Sequence, residues 1–231
     1  MRLLLIDTCG SEGSVILADT ELEQAIVATE ILPGRTSSER LVPAVRRVMK
    51  SADWRLRELA AIVVVHGPGS FTGVRVGLSA AKGLSEAGGV PLIAVSRLAL
   101  LAASVGEAAT VHAVLDAGRG EFYYGEYGGH RHVREALLTE EEVVAAAAGG
   151  MVVVCEAKVE EVLAALHPRL VGEPSAGDAL PFALERIAVG DFDDAATLDA
   201  NYLRRTDAEI FAKPKPAQVK AAQAKGKIAA E

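Results

Sequence analysis

The residues best suited to chemistry lie in the turn His66-Gly67-Pro68-Gly69-Ser70-Phe71-Thr72-Gly73 and at two aspartates, Asp7 and Asp116, that close apolar runs. A glycine-rich turn between a strand and a helix exposes backbone N–H groups at the helix start, where they can hold an anion. This turn fails both common phosphate-loop tests. Counted from Gly67 or Gly69, the Gly-Lys of GxxxxGK[ST] is absent, and GxGxxG finds Thr72 in place of its third glycine. The mechanical alternative is that the glycines let the chain turn tightly and the helix pack closely. In the helix that follows, Gly73, Gly77 and Ala81 are four residues apart, so one stripe has almost no side chain. Such a stripe admits another backbone, either the protein's own sheet or a partner.

Metal and nucleophile chemistry find little support. No histidine has another four residues away, the spacing that lets two side chains on one helix face converge on an ion. His130 and His132 would share a strand face, but two ligands fall short of the usual three or four. Cys9 and Cys155 are isolated, which argues against a zinc knuckle and a disulfide scaffold. His66 borders the glycine turn without a Ser-Asp pair spaced for a triad, and reads as a satisfied loop residue. No catalytic or metal-binding residue is therefore expected.

The elements that position these residues follow from periodicity. Leu3–Ile6 is a short continuous apolar run, the pattern of a strand buried on both faces. Strands over Val15-Ile16-Leu17 and Ala25–Leu32 follow. Thr36 and Glu39 have capping-box spacing, and Leu41, Val45, Val48, Met49 and Ala52 then form one helical face. A strand over Ala60–Val65, a helix from about Val74 to Glu86, a strand over Pro91–Val95 and a helix from Ser96 to Ala103 complete a β-β-β-α-β-α-β-α order. The pattern restarts with strands over Val111–Leu115, Glu121–Tyr127 and His132–Leu138. A helix capped by Thr139 and Glu142, the strand Met151–Cys155 and a helix from about Lys158 to Leu166 come next. Duplicated units of this kind build actin-like ATPases, so the expected fold is α/β and actin-like (ribonuclease H-like). Residues 1–105 and 106–205 would form the two subdomains, with a C-terminal segment over 206–231 that is flexible and basic from about 213.

In actin-like ATPases, aspartates at the two hairpins help hold metal and phosphates. Asp7-Thr8 and Asp116-Ala117-Gly118 stand at matching places, so Asp7, Thr8, Asp116 and Gly118 are candidates for a vestigial phosphate site binding ATP or ADP with Mg. The opposing signs are that aspartate is a common turn former, and that no glycine pair follows a strand to receive adenosine. Gly149-Gly150 precedes a strand, and Gly128-Gly129 reads as a hairpin turn.

Half of the residues are hydrophobic, enough for a substantial core, and the formal net charge is −7. The charge is uneven. From Arg204 onward the chain carries +4, leaving −11 on the body, a poor platform for nucleic-acid phosphates. No apolar run reaches 18 residues, so no membrane span is expected, and a soluble cytoplasmic protein fits best.

The stretch from His66 through Gly77-Leu78 to Ala81-Lys82-Gly83-Leu84 closely resembles the signature of the TsaB (YeaZ) family. Leu5-Ile6-Asp7-Thr8 is similar to that family's opening strand, Asp116 to Tyr123 to its second hairpin, and Tyr202-Leu203-Arg204 to its closing segment. Ser37 stands where several members have a histidine, and the Lys-rich tail lies outside the resemblance. The resemblance implies an actin-like fold and a non-catalytic role in making N6-threonylcarbamoyladenosine on tRNA. The implied partners are the transferase TsaD and the ATPase TsaE, with tRNA reached through the complex. The two glycine- and valine-bearing helices would then supply the partner surface, through Leu41, Val45, Val48, Met49, Gly73, Gly77 and Ala81. The same face would form a homodimer when the partner is absent.

Overall fold

The computed structural model describes residues 1–203 except 35, 107, 108 and 130. The basic tail, Arg204 of the closing motif and His130 therefore lie outside the described residues. Two five-stranded sheets carry the fold. The first contains β1 (Arg2–Asp7), β2 (Gly13–Asp19), β3 (Ile26–Leu32), β4 (Ala61–Val65) and β5 (Leu92–Val95), in the order β3-β2-β1-β4-β5. The second contains β6 (Val111–Gly118), β7 (Glu121–Gly128), β8 (Arg131–Thr139), β9 (Met151–Val154) and β10 (Arg169–Leu170), in the order β10-β9-β6-β7-β8. Read from the other edge, the second order repeats the first. In each sheet the first three strands run antiparallel and the last two join parallel to the first. This is the duplicated actin-like architecture expected from the element order.

Leu3, Leu4, Leu5 and Ile6 are fully buried, as a continuous apolar run requires. One face of their sheet is covered by α1 (Ser37–Ser51) and α2 (Phe71–Gly88). The opposite face is covered by a segment with no element in the sequence reading. It is the 3₁₀ turn Ala176–Ala179 and α6 (Leu180–Ala188), which pack on β1, β2, β4 and β5. In turn α3 (Arg97–Ala103), which precedes the second sheet in the chain, packs through Leu98, Leu101 and Ala102 on β6 and β7. Packing does not follow chain order.

Local signals met different fates. Thr139 and Glu142 form the expected capping box at α4 (Glu140–Ala146), and Ser96 caps α3 by accepting from the Leu98 N–H at 3.2 Å. Thr36 does sit before α1, but its hydroxyl donates to the Pro33 carbonyl at 2.7 Å and the expected capping box with Glu39 is not made. α2 starts three residues earlier than the periodicity implied because Ser70 is its cap, accepting from the Gly73 N–H at 3.3 Å. The last expected helix is shorter, α5 (Ala157–Val162), continued by a 3₁₀ turn over Ala164–Leu166.

Candidate functional site

The glycine turn and the first hairpin interlock. The Thr8 hydroxyl donates to the Gly73 carbonyl at 2.6 Å, the Ser70 N–H to the Cys9 carbonyl at 2.9 Å, and the Cys9 thiol to the Val65 carbonyl at 3.1 Å. A Cβ on Gly73 would overlap the Thr8 carbonyl, one on Gly69 the Cys9 carbonyl, and one on Gly77 the Thr8 hydroxyl. The side-chain-free stripe thus exists so that the protein's own β1–β2 turn can lie against α2.

This placement corrects the expected partner surface. Leu41, Val45, Val48 and Met49 belong to the core cluster beneath the first sheet, at most 9% exposed, and Ala81 is fully buried. Gly73 and Gly77 face β1. A bulky residue at Gly77 would disrupt the fold before it touched a partner. What the two helices present outward is the opposite side: Val42 (54% exposed), Phe71 (53% exposed) and a set of bases, Arg40, Arg46 and Arg75. Arg75 stacks on the Phe71 ring, its guanidinium carbon 3.7 Å from the centroid, and its Nε donates to the Tyr202 hydroxyl at 2.6 Å. The N-termini of α1 and α2 share one cleft of about 730 Å³, whose lining includes Thr8, Ser11, Ser37, Ser38, Ser70 and Thr72. The helices therefore start side by side, and Val42 and Phe71 lie toward the same end of the pair.

The candidates for a phosphate site are committed elsewhere. Asp7 is 1% exposed and its Oδ1 accepts from the Cys9 N–H at 2.8 Å, inside its own turn. Burial raises its carboxyl above the usual range, against the pull of the Arg97 guanidinium. Thr8 is held by Gly73. Asp116 accepts from the Gly118 N–H at 2.7 Å and pairs with Lys158 at 3.2 Å. Between the two hairpins stand Arg97, 3% exposed, and Glu173, which form an ion pair. These groups do not fit a Mg-nucleotide: the would-be ligands already serve the protein's own turns, and a cation with its own counter-ion lies against Gly10 and Ser11 of the first hairpin.

Histidines and cysteines play structural parts. His66 places Nδ1 3.3 Å from the Asp199 carbonyl, and burial lowers its basicity. His132 is exposed and meets the edge of the Tyr127 ring. Among the described residues, no group of three His, Cys, Asp or Glu side chains gathers to hold a metal. Burial pushes the Cys155 thiol up to about 11. At pH 8 it should accordingly react with a disulfide reagent about a hundredfold more slowly than an unshifted thiol, because that much less thiolate is present. Native-state labelling followed by peptide mapping checks this, and free-thiol kinetics at Cys155 would refute it.

Sequence reasoning missed Arg97, Glu173 and the Phe71–Arg75–Tyr202 stack. Arg97 did leave a signal, as the lone charge in the otherwise apolar helix Arg97–Ala103.

A family model for TsaD, the tRNA N6-adenosine threonylcarbamoyltransferase, matches residues 20–169, well over half of the chain. The chain is 36% identical over 130 residues to the Escherichia coli tRNA threonylcarbamoyladenosine biosynthesis protein TsaB, covering 55% of each. It is 42% identical over 89 residues to a Ruegeria tRNA N6-adenosine threonylcarbamoyltransferase, 38% of this chain and 24% of that one. The chain thus spans about half the length, or less, of the curated relatives it matches. Among solved structures, a Pseudomonas aeruginosa protein described as similar to peptidase YeaZ superposes with a TM-score of 0.73 at 30% identity. That match covers 88% of this chain and 99% of that one. YeaZ from Pseudomonas aeruginosa gives 0.73 at 29% identity, covering 87% and 99%. With matches of this extent to both the family model and the solved structures, the chain belongs to the TsaD-like family, on its TsaB (YeaZ) branch.

Proposed function

We propose that this protein is a non-catalytic subunit required to form the N6-threonylcarbamoyl group on adenosine 37 of tRNA. It acts as the dimerization partner of the transferase TsaD, with TsaE joining the pair in the cytoplasm. One observation carries the non-catalytic reading: Asp7, Thr8 and Asp116, the groups that could serve phosphate chemistry, are tied into the protein's own turns. The outward side of α1 and α2 is the surface assigned to TsaD. Its exposed Val42 and Phe71 offer apolar area, and Arg40, Arg46 and Arg75 make it basic in a body that carries −11. A partner with an apolar patch rimmed by acids suits it. No helix among the described residues is long and apolar enough to cross a membrane.

Reconstitution tests the reading. Threonylcarbamoyl transfer to tRNA is measured with TsaD and TsaE, with and without this chain. Dependence on the chain, together with no turnover by the chain alone, is the expected result. The rival is an actin-like ATPase or phosphotransferase. Tight Mg-ATP binding in calorimetry, lost in Asp7→Asn, would establish the rival and reject the proposal. Isolated, the same surface should self-associate, and light scattering at rising concentration reads this.

A further inference from the structure

Arg97 is a buried guanidinium at the start of α3, and a buried cation is tolerated only when an anion is supplied to it. Burial works against its charge, yet the negative groups around it, Asp7 first, raise its proton affinity further. Its terminal NH2 nitrogen donates to Glu173, while Nε has no acceptor among the described residues. Glu173 comes from the loop after β10 and reaches the β1–β2 turn of the other sheet. There the Ser11 N–H donates to its Oε1 at 2.8 Å and the Ser11 hydroxyl donates to Oε2. Gly10 leaves the space: a Cβ there would overlap the carboxylate and come within 2.9 Å of Arg97. A backbone N–H, a hydroxyl, a guanidinium and a glycine floor together make an anion cradle. Three residues further on, the Ala176 N–H donates to Ser14 Oγ at 2.9 Å, and the 3₁₀ turn that covers the first sheet begins.

We propose that the β1–β2 turn and Arg97 form an anion site, that its ligand is the chain's own Glu173, and that this internal carboxylate latches the second sheet's loop to the first sheet. With the carboxylate removed, the site should take a small oxyanion of the same chemistry. The Glu173 side chain is 30% exposed, which gives such an ion a way in.

The test uses the full chain and sodium formate, with sodium chloride at equal ionic strength as control. Glu173→Ala should lower the melting temperature by several degrees and speed exchange of the Ser11 amide, while amides of β1 stay protected. Formate should restore at least half of the lost melting temperature and re-protect Ser11, where chloride does not. The wild-type protein should respond equally to the two salts. Formate acting no better than chloride, or an unchanged Ser11 amide, overturns the proposal. Glu173→Gln keeps the shape without the charge. It too should melt earlier but gain nothing from formate, because its amide still fills the site. A wild-type melting temperature in that variant would also overturn the proposal, even should Glu173→Ala fail to fold.

Discussion

Gly73→Ala is expected to lower the melting temperature by about 10 °C. The added Cβ has no room, because the Thr8 carbonyl occupies its place and belongs to a backbone that is itself held. To admit it, the β1–β2 turn must move off α2. That breaks the hydrogen bond from Thr8 to the Gly73 carbonyl and disturbs the adjoining bond from the Ser70 N–H to Cys9. Overpacking of this kind costs about 3 kcal/mol, and a domain of this size loses roughly 2–4 °C for each. The same helix contains its own control. Gly83 is exposed and a Cβ there meets nothing within 4 Å. In a helix interior alanine is favoured over glycine by up to about 1 kcal/mol, so Gly83→Ala should raise the melting temperature slightly. Opposite signs from one substitution type in one helix identify close approach as the cause. A Gly73→Ala protein that melts like wild type would mean the hairpin and helix are not interlocked.

Val42→Asp combined with Phe71→Asp should weaken association with TsaD by at least about 100-fold while leaving the fold intact. Both residues are more than half exposed, so neither supports the core. Position 71 is the first of α2, where an acidic residue interacts well with the helix dipole. In a docked interface, by contrast, each aspartate would be a desolvated charge in an apolar centre. Losing two such anchors is worth about 3 kcal/mol or more, which is the stated factor in Kd. Calorimetry with purified TsaD reads the affinity, and a melting curve of the double variant alone verifies its integrity. Unchanged affinity would remove the outward face of α1 and α2 from consideration.

Much of the fold was legible because period and burial agree. The continuous run Leu3–Ile6, the hairpin-first order and the Thr139 capping box are local signals, and the described structure uses each of them. The side of α1 was also legible as a stripe, but not its destination. Leu41, Val45, Val48 and Met49 look the same in sequence whether they cover the protein's own sheet or a partner's helix, since both are apolar burial. Gly73 and Gly77 carry the same ambiguity: small residues report that something comes close and do not say what. Arg97 and Glu173 are 76 residues apart and belong to no motif, so their pairing is a product of tertiary structure alone.

The cover of the first sheet by Ala176–Ala188 sets a condition on synthesis. As the chain leaves the ribosome, β1, β2 and β4 can pair early, yet one side of that sheet stays bare until the segment ending near residue 188 has emerged. Over that interval an apolar plane containing Ile16, its cross-strand neighbour Leu5 and Val63 beside it waits for a lid made more than 100 residues later. The halves of this protein cannot mature one after the other; each is finished only by a piece of the other.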